Sequence, residues 1–205
     1  MMKITDLEPQ KKNANRINVY INERFYAGVS DYIAQKYFKI GMVVTKEQLE
    51  KIVLEEELEK AKGYVANYLL SKTEKTIRDK LKEKGYAEVV IEETISFLHR
   101  YNYISDERYA KALANDSVKF KKQGKQKIKM KLRQKGVNEE DIEKALSEVN
   151  EEDELEAIEK LLITKKPYYE KRSKNQFELK GKLFQFLMGR GFSSDTIKKV
   201  LDSHF

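Results

Sequence analysis

The sequence predicts an all-α chain of tandem three-helix repeats, three units in an elongated curved array, preceded by a small module with a β-hairpin and helices. Three observations lead there. Charge is abundant and chain breakers are scarce: 37% of the 205 residues are Asp, Glu, Lys or Arg, 40% are apolar, and there are two prolines and nine glycines. That balance suits exposed helices better than a turn-rich sandwich or barrel. A segment then recurs, Ile77-Arg-Asp-Lys-Leu81-Lys-Glu-Lys-Gly85-Tyr86 returning as Ile128-Lys-Met-Lys-Leu132-Arg-Gln-Lys-Gly136-Val137, 51 residues on. A third copy follows after 55 more, with Leu183, Leu187, Gly191, Phe192, Ile197 and Leu201 in the places of Ile128, Leu132, Gly136, Val137, Ile142 and Leu146. Such repeats fix an architecture, because a unit of about fifty residues buries too little core alone and must stack on its neighbours.

Taken in order, the first forty-odd residues differ in texture from the rest. Arg16–Ile21, the polar pair Asn22-Glu23, and Arg24–Val29 read as two β-branched and aromatic strands around a turn. Ser30 and Asp31 cap a helix to about Phe38, which Gly41 ends, and Thr45 with Gln48 forms a capping box for a helix beginning at Lys46. Each repeat then opens with a helix, Leu58–Leu70, Asp106–Phe120 and Glu151–Ile163. The last two carry acidic residues that complement a helix N-terminus. Around each glycine the apolar residues are spaced three or four apart, one face of a helix. The glycine supplies the left-handed residue past a helix end, and Asn138 and Ser193 or Ser194 cap the helix that follows. From Lys125 to Arg133 cations alternate with Ile128, Met130 and Leu132, the pattern of a half-buried strand. The equivalent stretches keep the four-residue spacing, so a helix is expected. The expected boundaries are 1–56 for the N-terminal module and 57–104, 105–150 and 151–205 for the repeats.

The formal charge of +7 is unevenly placed. Nine lysines and arginines and no acid lie between Ser117 and Asn138: Lys119, Lys121, Lys122, Lys125, Lys127, Lys129, Lys131, Arg133 and Lys135. So dense a set of like charges points to a phosphate or acidic protein partner, against the plainer reading of a solvated helix face. Lys165-Lys-Pro-Tyr-Tyr-Glu-Lys-Arg-Ser-Lys174 interleaves cations with aromatics, as single-strand binders do. An ordinary inter-helix loop is the preferred reading, with secondary nucleic-acid contact through Lys165, Lys166, Tyr168, Tyr169, Lys171, Arg172 and Lys174 beside it. Ser105, Asp106 and Glu107 read as helix caps, and Arg108 is open between an internal ion pair and a partner contact.

Chemistry is sparse. There is no cysteine, which excludes disulfides and thiolate sites and fits the cytosol. His99 and His204 have no partners at metal or triad spacing, and Gly189 and Gly191 end a helix rather than cradle a phosphate. No catalytic residue, metal ligand or cofactor is nominated, and no enzyme activity is expected. The N-terminus lacks an apolar signal core, and no apolar run approaches the roughly twenty residues that span a bilayer.

Ile4-Thr-Asp-Leu-Glu8 with its hairpin, Leu69 through the Gly85-Tyr86 break, Tyr103-Ile-Ser-Asp-Glu-Arg-Tyr-Ala110, and Gly124 through Ile128 to Lys135-Gly136-Val137 together resemble the RecX regulatory proteins. The resemblance covers essentially the whole chain. It implies tandem three-helix repeats and a modulator, often an inhibitor, of the RecA recombinase in DNA repair and recombination, seated in the groove of the RecA–DNA filament. The expected partners are that filament and single- or double-stranded DNA, bound by a cytoplasmic monomer through the nine cations and Arg108. A general helical DNA-binding protein and a protein-only scaffold are the alternatives. Reversing Lys127, Lys129 and Arg133 to Glu is expected to weaken binding while leaving the fold intact.

Overall fold

The structure is a computed structural model that describes residues 1–67 and 72–205. It divides into two compact units, 1–69 with 78–101 and 70–77 with 102–205. The expected end of the first repeat's opening helix, Leu69-Leu70, lies outside the described residues.

The first unit starts with an antiparallel sheet of order β3-β2-β1-β4, built from β1 (Met2–Gln10), β2 (Asn13–Ile21), β3 (Arg24–Ser30) and β4 (Val43–Val44). The hairpin β2–β3 turns at Asn22 and Glu23, both at positive φ (49° and 65°), the twist that suits a two-residue connection. β1 was not expected. Its register shifts between Ile4 and Asp6 and again at Pro9, so the two-residue alternation breaks twice, and acids and proline are poor strand signals. Ile4, Val19, Ile21 and Val29 from the sheet close a core with Ile33, Ala34 and Phe38 and with Leu49 and Ile52.

Ser30 caps α1 (Asp31–Tyr37) by accepting from Ile33 N, and Thr45 and Gln48 form the expected box at the start of α2 (Lys46–Ala66). Where two helices were expected, from Lys46 and from Leu58, there is one of 21 residues. No breaker separates them, and Glu56, Glu57 and Glu59 pair with Lys60 and Lys62 one turn away. Glu56, 4% exposed, reaches back to accept from Ser30 N (2.9 Å), the Ser30 hydroxyl (2.8 Å) and Arg16 (3.2 Å). Burial pushes its carboxyl up, but the Ser30 donors with Lys60 and Arg16 outweigh that and hold it below the ordinary carboxylate value. α4 (Glu88–Arg100) follows, tied by Glu92 to Arg78 of α3 (Glu74–Glu83).

The second unit holds α5 (Asp106–Lys119), α6 (Lys125–Gln134), α7 (Glu139–Ser147), α8 (Glu151–Glu170), α9 (Gln176–Gly189) and α10 (Ser194–His204). Ser105, Asn138, Asn150, Asn175 and Ser193 cap α5, α7, α8, α9 and α10 through their side chains. The core runs through Ala110, Ala114, Ile128, Leu132, Ile142, Ile158, Leu183, Leu187, Phe192 and Ile197. Ile128 and Leu132 are buried while Met130 is exposed, so α6 follows the four-residue spacing and the apparent strand alternation is coincidental.

The three repeated glycines do the same work. Gly85, Gly136 and Gly191 have φ of 88°, 80° and 90°. In each case the next residue's N–H reaches five residues back, Tyr86 to Leu81 O (3.1 Å), Val137 to Leu132 O (3.2 Å) and Phe192 to Leu187 O (3.4 Å). The glycine N–H meanwhile bonds three residues back, the Schellman closure that satisfies the last carbonyls of α3, α6 and α9. Gly124 is required for space: a Cβ there would stand 2.3 Å from Gly191 O and 2.4 Å from Phe192 Cα.

One expectation is overturned in α8. The helix continues past Ile163 to Glu170, so Lys165, Lys166, Tyr168 and Tyr169 are helical rather than in a loop, and only the segment from Lys171 to Asn175 connects to α9. Pro167 does not stop the helix. It sits inside the helix, where it lacks the N–H that would bond Ile163 O, and its tolerance follows from position, since Ile163 and Pro167 face solvent.

Candidate nucleic-acid interface

A helix advances about 100° per residue, so cations at every odd position sort into two rows of four-residue spacing rather than one band. Lys125, Lys129 and Arg133 form one row and Lys127, Lys131 and Lys135 the other, with the buried stripe Ile128–Leu132 between them. Within a row the steps rise by about 6 Å.

The two rows meet different neighbours. Lys125 donates to Val149 O (3.2 Å) and stands 3.8 Å from the buried Glu154. Lys129 pairs with Glu143 and, at 3.6 Å, with Glu139. Arg133 holds Glu139 in a two-point contact of 2.6 and 2.9 Å. Glu143 keeps the Lys129 ammonium above its ordinary value, and Glu139 does the same for the Arg133 guanidinium. This row is neutralised by α7 and α8.

Across the stripe, Lys127 donates to Gly189 O (3.2 Å) at the carbonyl end of α9, and Lys131 donates to the amide oxygen of buried Gln123. Burial pushes the Lys131 ammonium below its ordinary value, and the charges of Lys121, Lys127 and Arg190 push it further. Arg190 is itself clamped, donating to Lys121 O and, at 3.1 and 2.9 Å, to Lys122 O. Among the described residues no carboxylate pairs with Lys121, Lys122, Lys127, Lys131, Lys135 or Arg190. The sequence reading missed Arg190. Its only signal was its place just before the third repeated glycine, where Lys135 stands in the second copy.

The other nominated residues fall outside this cluster. Lys119 pairs with Asp153 at 3.6 Å. Arg108 donates to Asn102 O (2.7 Å), while Ser105 caps α5 and Asp106 accepts from Glu74 N (2.9 Å) at the start of α3. The segment from Tyr103 to Ala110 thus ties backbone segments together. Of the second set, Tyr169 packs on Phe186 with ring centres 5.9 Å apart, Lys166 lies over the Phe205 ring, and Tyr168 and Arg172 stack on each other. Lys165, Lys171 and Lys174 are exposed.

Family models match the chain in four places: the regulatory protein RecX N-terminal domain at residues 2–45, and the first, second and third RecX three-helix domains at 71–98, 105–146 and 151–201. A regulatory protein RecX from Clostridium perfringens (strain 13 / Type A) is 36% identical over 204 residues, 98% of this chain and 95% of that one. The chain belongs to the RecX family. Its RecX counterpart from Clostridium acetobutylicum is 37% identical over 207 residues, covering 98% and 96%. A crystal structure of regulatory protein RecX superposes with a TM-score of 0.81 at 28% identity, covering 98% of this chain and 100% of that one. In the RecX frame both cation rows fall in the match to the second three-helix domain, and Arg190 in the match to the third. No described helix is long and apolar enough to cross a membrane.

Proposed function

We propose that this RecX-family chain is a non-enzymatic regulator that binds nucleic acid and the RecA recombinase filament through Lys127, Lys131 and Lys135, joined by Lys121, Lys122 and Arg190, and so opposes recombinase activity. Membership of a family whose relatives are called regulatory proteins supports the role. The observation that carries the site is the separation of the α6 rows: one set of cations is matched by carboxylates and the other is not. Charges held together against their own repulsion favour a partner that neutralises them. A row of lysines suits phosphates more than base edges, so binding without strong sequence preference is expected.

The organisation into three helical units, 57–104, 105–150 and 151–205, belongs to the same proposal. It is supported by the identical helix ends at Gly85, Gly136 and Gly191 and by the separate matches to three three-helix domains.

The test is a set of titrations of the purified chain against single strands, duplexes and RecA filaments across salt, with RecA's DNA-dependent ATPase as readout of filament state. Log affinity for duplex should fall linearly with log salt, with a slope of about 0.9 per phosphate engaged, and ATPase should fall as the chain is added. Absence of binding to both nucleic acid and filament at low salt would remove the reading. Salt-insensitive binding to the filament alone would leave a protein-only scaffold.

A further inference from the structure

The end of the α8–α9 pair carries a second patch of a different kind. Phe177, in the first turn of α9, is 88% exposed, and Tyr168, in the last turn of α8, is 51% exposed. Neither ring is needed inside, because the neighbouring Tyr169 and Leu179 take the inward positions. The Arg172 guanidinium lies 3.8 Å over the Tyr168 ring and also donates to Tyr168 O (3.1 Å). One face of that ring is therefore covered by a fixed cation. Lys165, Lys171 and Lys174, within six residues of Tyr168 in the chain, are exposed, and Glu178 in the first turn of α9 is already held by Lys182 (2.8 Å) and by Lys174 N (2.7 Å).

We propose that this end of the hairpin is a stacking site for unpaired bases of a single-stranded nucleic acid. Tyr168 and Phe177 are the platforms, and Lys165, Lys171, Arg172 and Lys174 hold the backbone. Exposed rings offer π faces to bases, which a duplex keeps buried in its stack, and cations beside them follow the phosphates. An arginine already stacked on the tyrosine adds a cation–π component. The site rests on the reading of the chain as a nucleic-acid binder but uses none of the α6 cations. It would give the protein a means of telling single strands from duplexes that a lysine row lacks.

The experiment compares the full chain's affinity for a fluorescent oligothymidylate of about 12 nucleotides, within the site sizes of single-strand binders, and for an abasic oligomer of equal length and charge. The oligothymidylate should bind on the order of a hundredfold more tightly, about tenfold for each of two stacked bases. Tyr168→Ala with Phe177→Ala should remove that preference while leaving abasic binding, its salt slope and the circular dichroism spectrum unchanged; Tyr168→Phe should keep the preference. Equal wild-type affinity for the two oligomers would overturn the site, as would equal loss of both in the double variant. Loss of filament binding with oligothymidylate binding intact would also overturn it, in favour of a protein contact. Lys127→Glu with Lys131→Glu separates the two proposals. It should weaken both oligomers alike, and a base preference that survives while this variant has no effect would remove the α6 reading and leave the stacking site standing.

Discussion

The two cation rows of α6 share a helix and a spacing, yet one is matched by carboxylates and the other is held by a backbone carbonyl and an amide. The difference lies in what the neighbouring helices bring. Glu139 and Glu143 of α7 and Glu154 of α8 face Lys125, Lys129 and Arg133, whereas the other side meets, among the described residues, a backbone carbonyl, Gln123 and further cations. Counting charge along a chain therefore locates a basic segment, but the acids folded against it decide which cations remain available.

The largest effect expected from this contrast is on binding. Lys127→Glu with Lys131→Glu should lower nucleic-acid affinity on the order of a hundredfold at physiological salt and reduce the salt slope by about 2. Lys129→Glu with Arg133→Glu should change affinity far less, and its main consequence should be a lower Tm, since the three ion pairs with Glu139 and Glu143 become repulsive. Equal binding losses in the two variants, measured by anisotropy, would erase the distinction between the rows. The triple reversal of Lys127, Lys129 and Arg133 mixes both effects and is the poorer test.

A gain should be obtainable from the other side. Glu139→Gln with Glu143→Gln releases Lys129 and Arg133, and should raise affinity about threefold to tenfold with a steeper salt slope, provided the freed side chains reach the same polyanion. Unchanged affinity would mean that only the Lys127–Lys131 side meets the ligand.

Placement of the Lys127–Lys131 row depends on the contact between Gly124 and Gly191. Gly124→Ala drives a methyl group into the Gly191 carbonyl and the Phe192 backbone, and should cost about 2 kcal/mol of stability by overpacking. Denaturant titration measures this, and a loss much below 1 kcal/mol would show that the loop before α6 gives way easily.

The smallest effects expected are those of pH. Glu154, 6% exposed, accepts from Lys125 N (3.3 Å), and its burial pushes its carboxyl above the ordinary value. Ionising it in the folded state is unfavourable, so its share of stability is present in acid and declines as pH rises through the raised folded value. Glu56 does the reverse. Its lowered carboxyl contributes above the ordinary value, and that share is lost as pH falls through the depressed one. Glu154→Gln should therefore flatten the Tm profile on the rising side and Glu56→Gln on the acid side, and matching profiles in the two variants would contradict both assignments.

Much of the fold was legible because its signals are local. Gly85, Gly136 and Gly191 mark helix ends since each needs a positive φ, and Thr45, Asn138 and Ser193 announce caps within three residues of the N–H they bond. β1 was hidden by its bulge at Ile4–Asp6, and the length of α8 by a proline whose cost depends on solvent exposure that the sequence does not display. The basic segment was legible as a whole but its division was not, because Glu154 and Arg190 come from 29 and 68 residues away. Arg108 stood open between an internal ion pair and a partner contact, because the carbonyl it meets, Asn102 O, leaves no trace in side-chain patterns.

The clamp on Arg190 has a bearing on recognition kinetics. Its guanidinium is fixed by the Lys121 and Lys122 carbonyls, and the loop carrying them is held in turn by the bonds from Gly124 N to Arg190 O (3.1 Å) and from Gln126 N to Gly191 O (3.0 Å). Two chain segments more than sixty residues apart in sequence are thus locked before any partner arrives. A polyanion meeting this surface has fewer rotamers to freeze than it would on a free lysine brush. The expected signature is fast, salt-steered capture with little change in helix content.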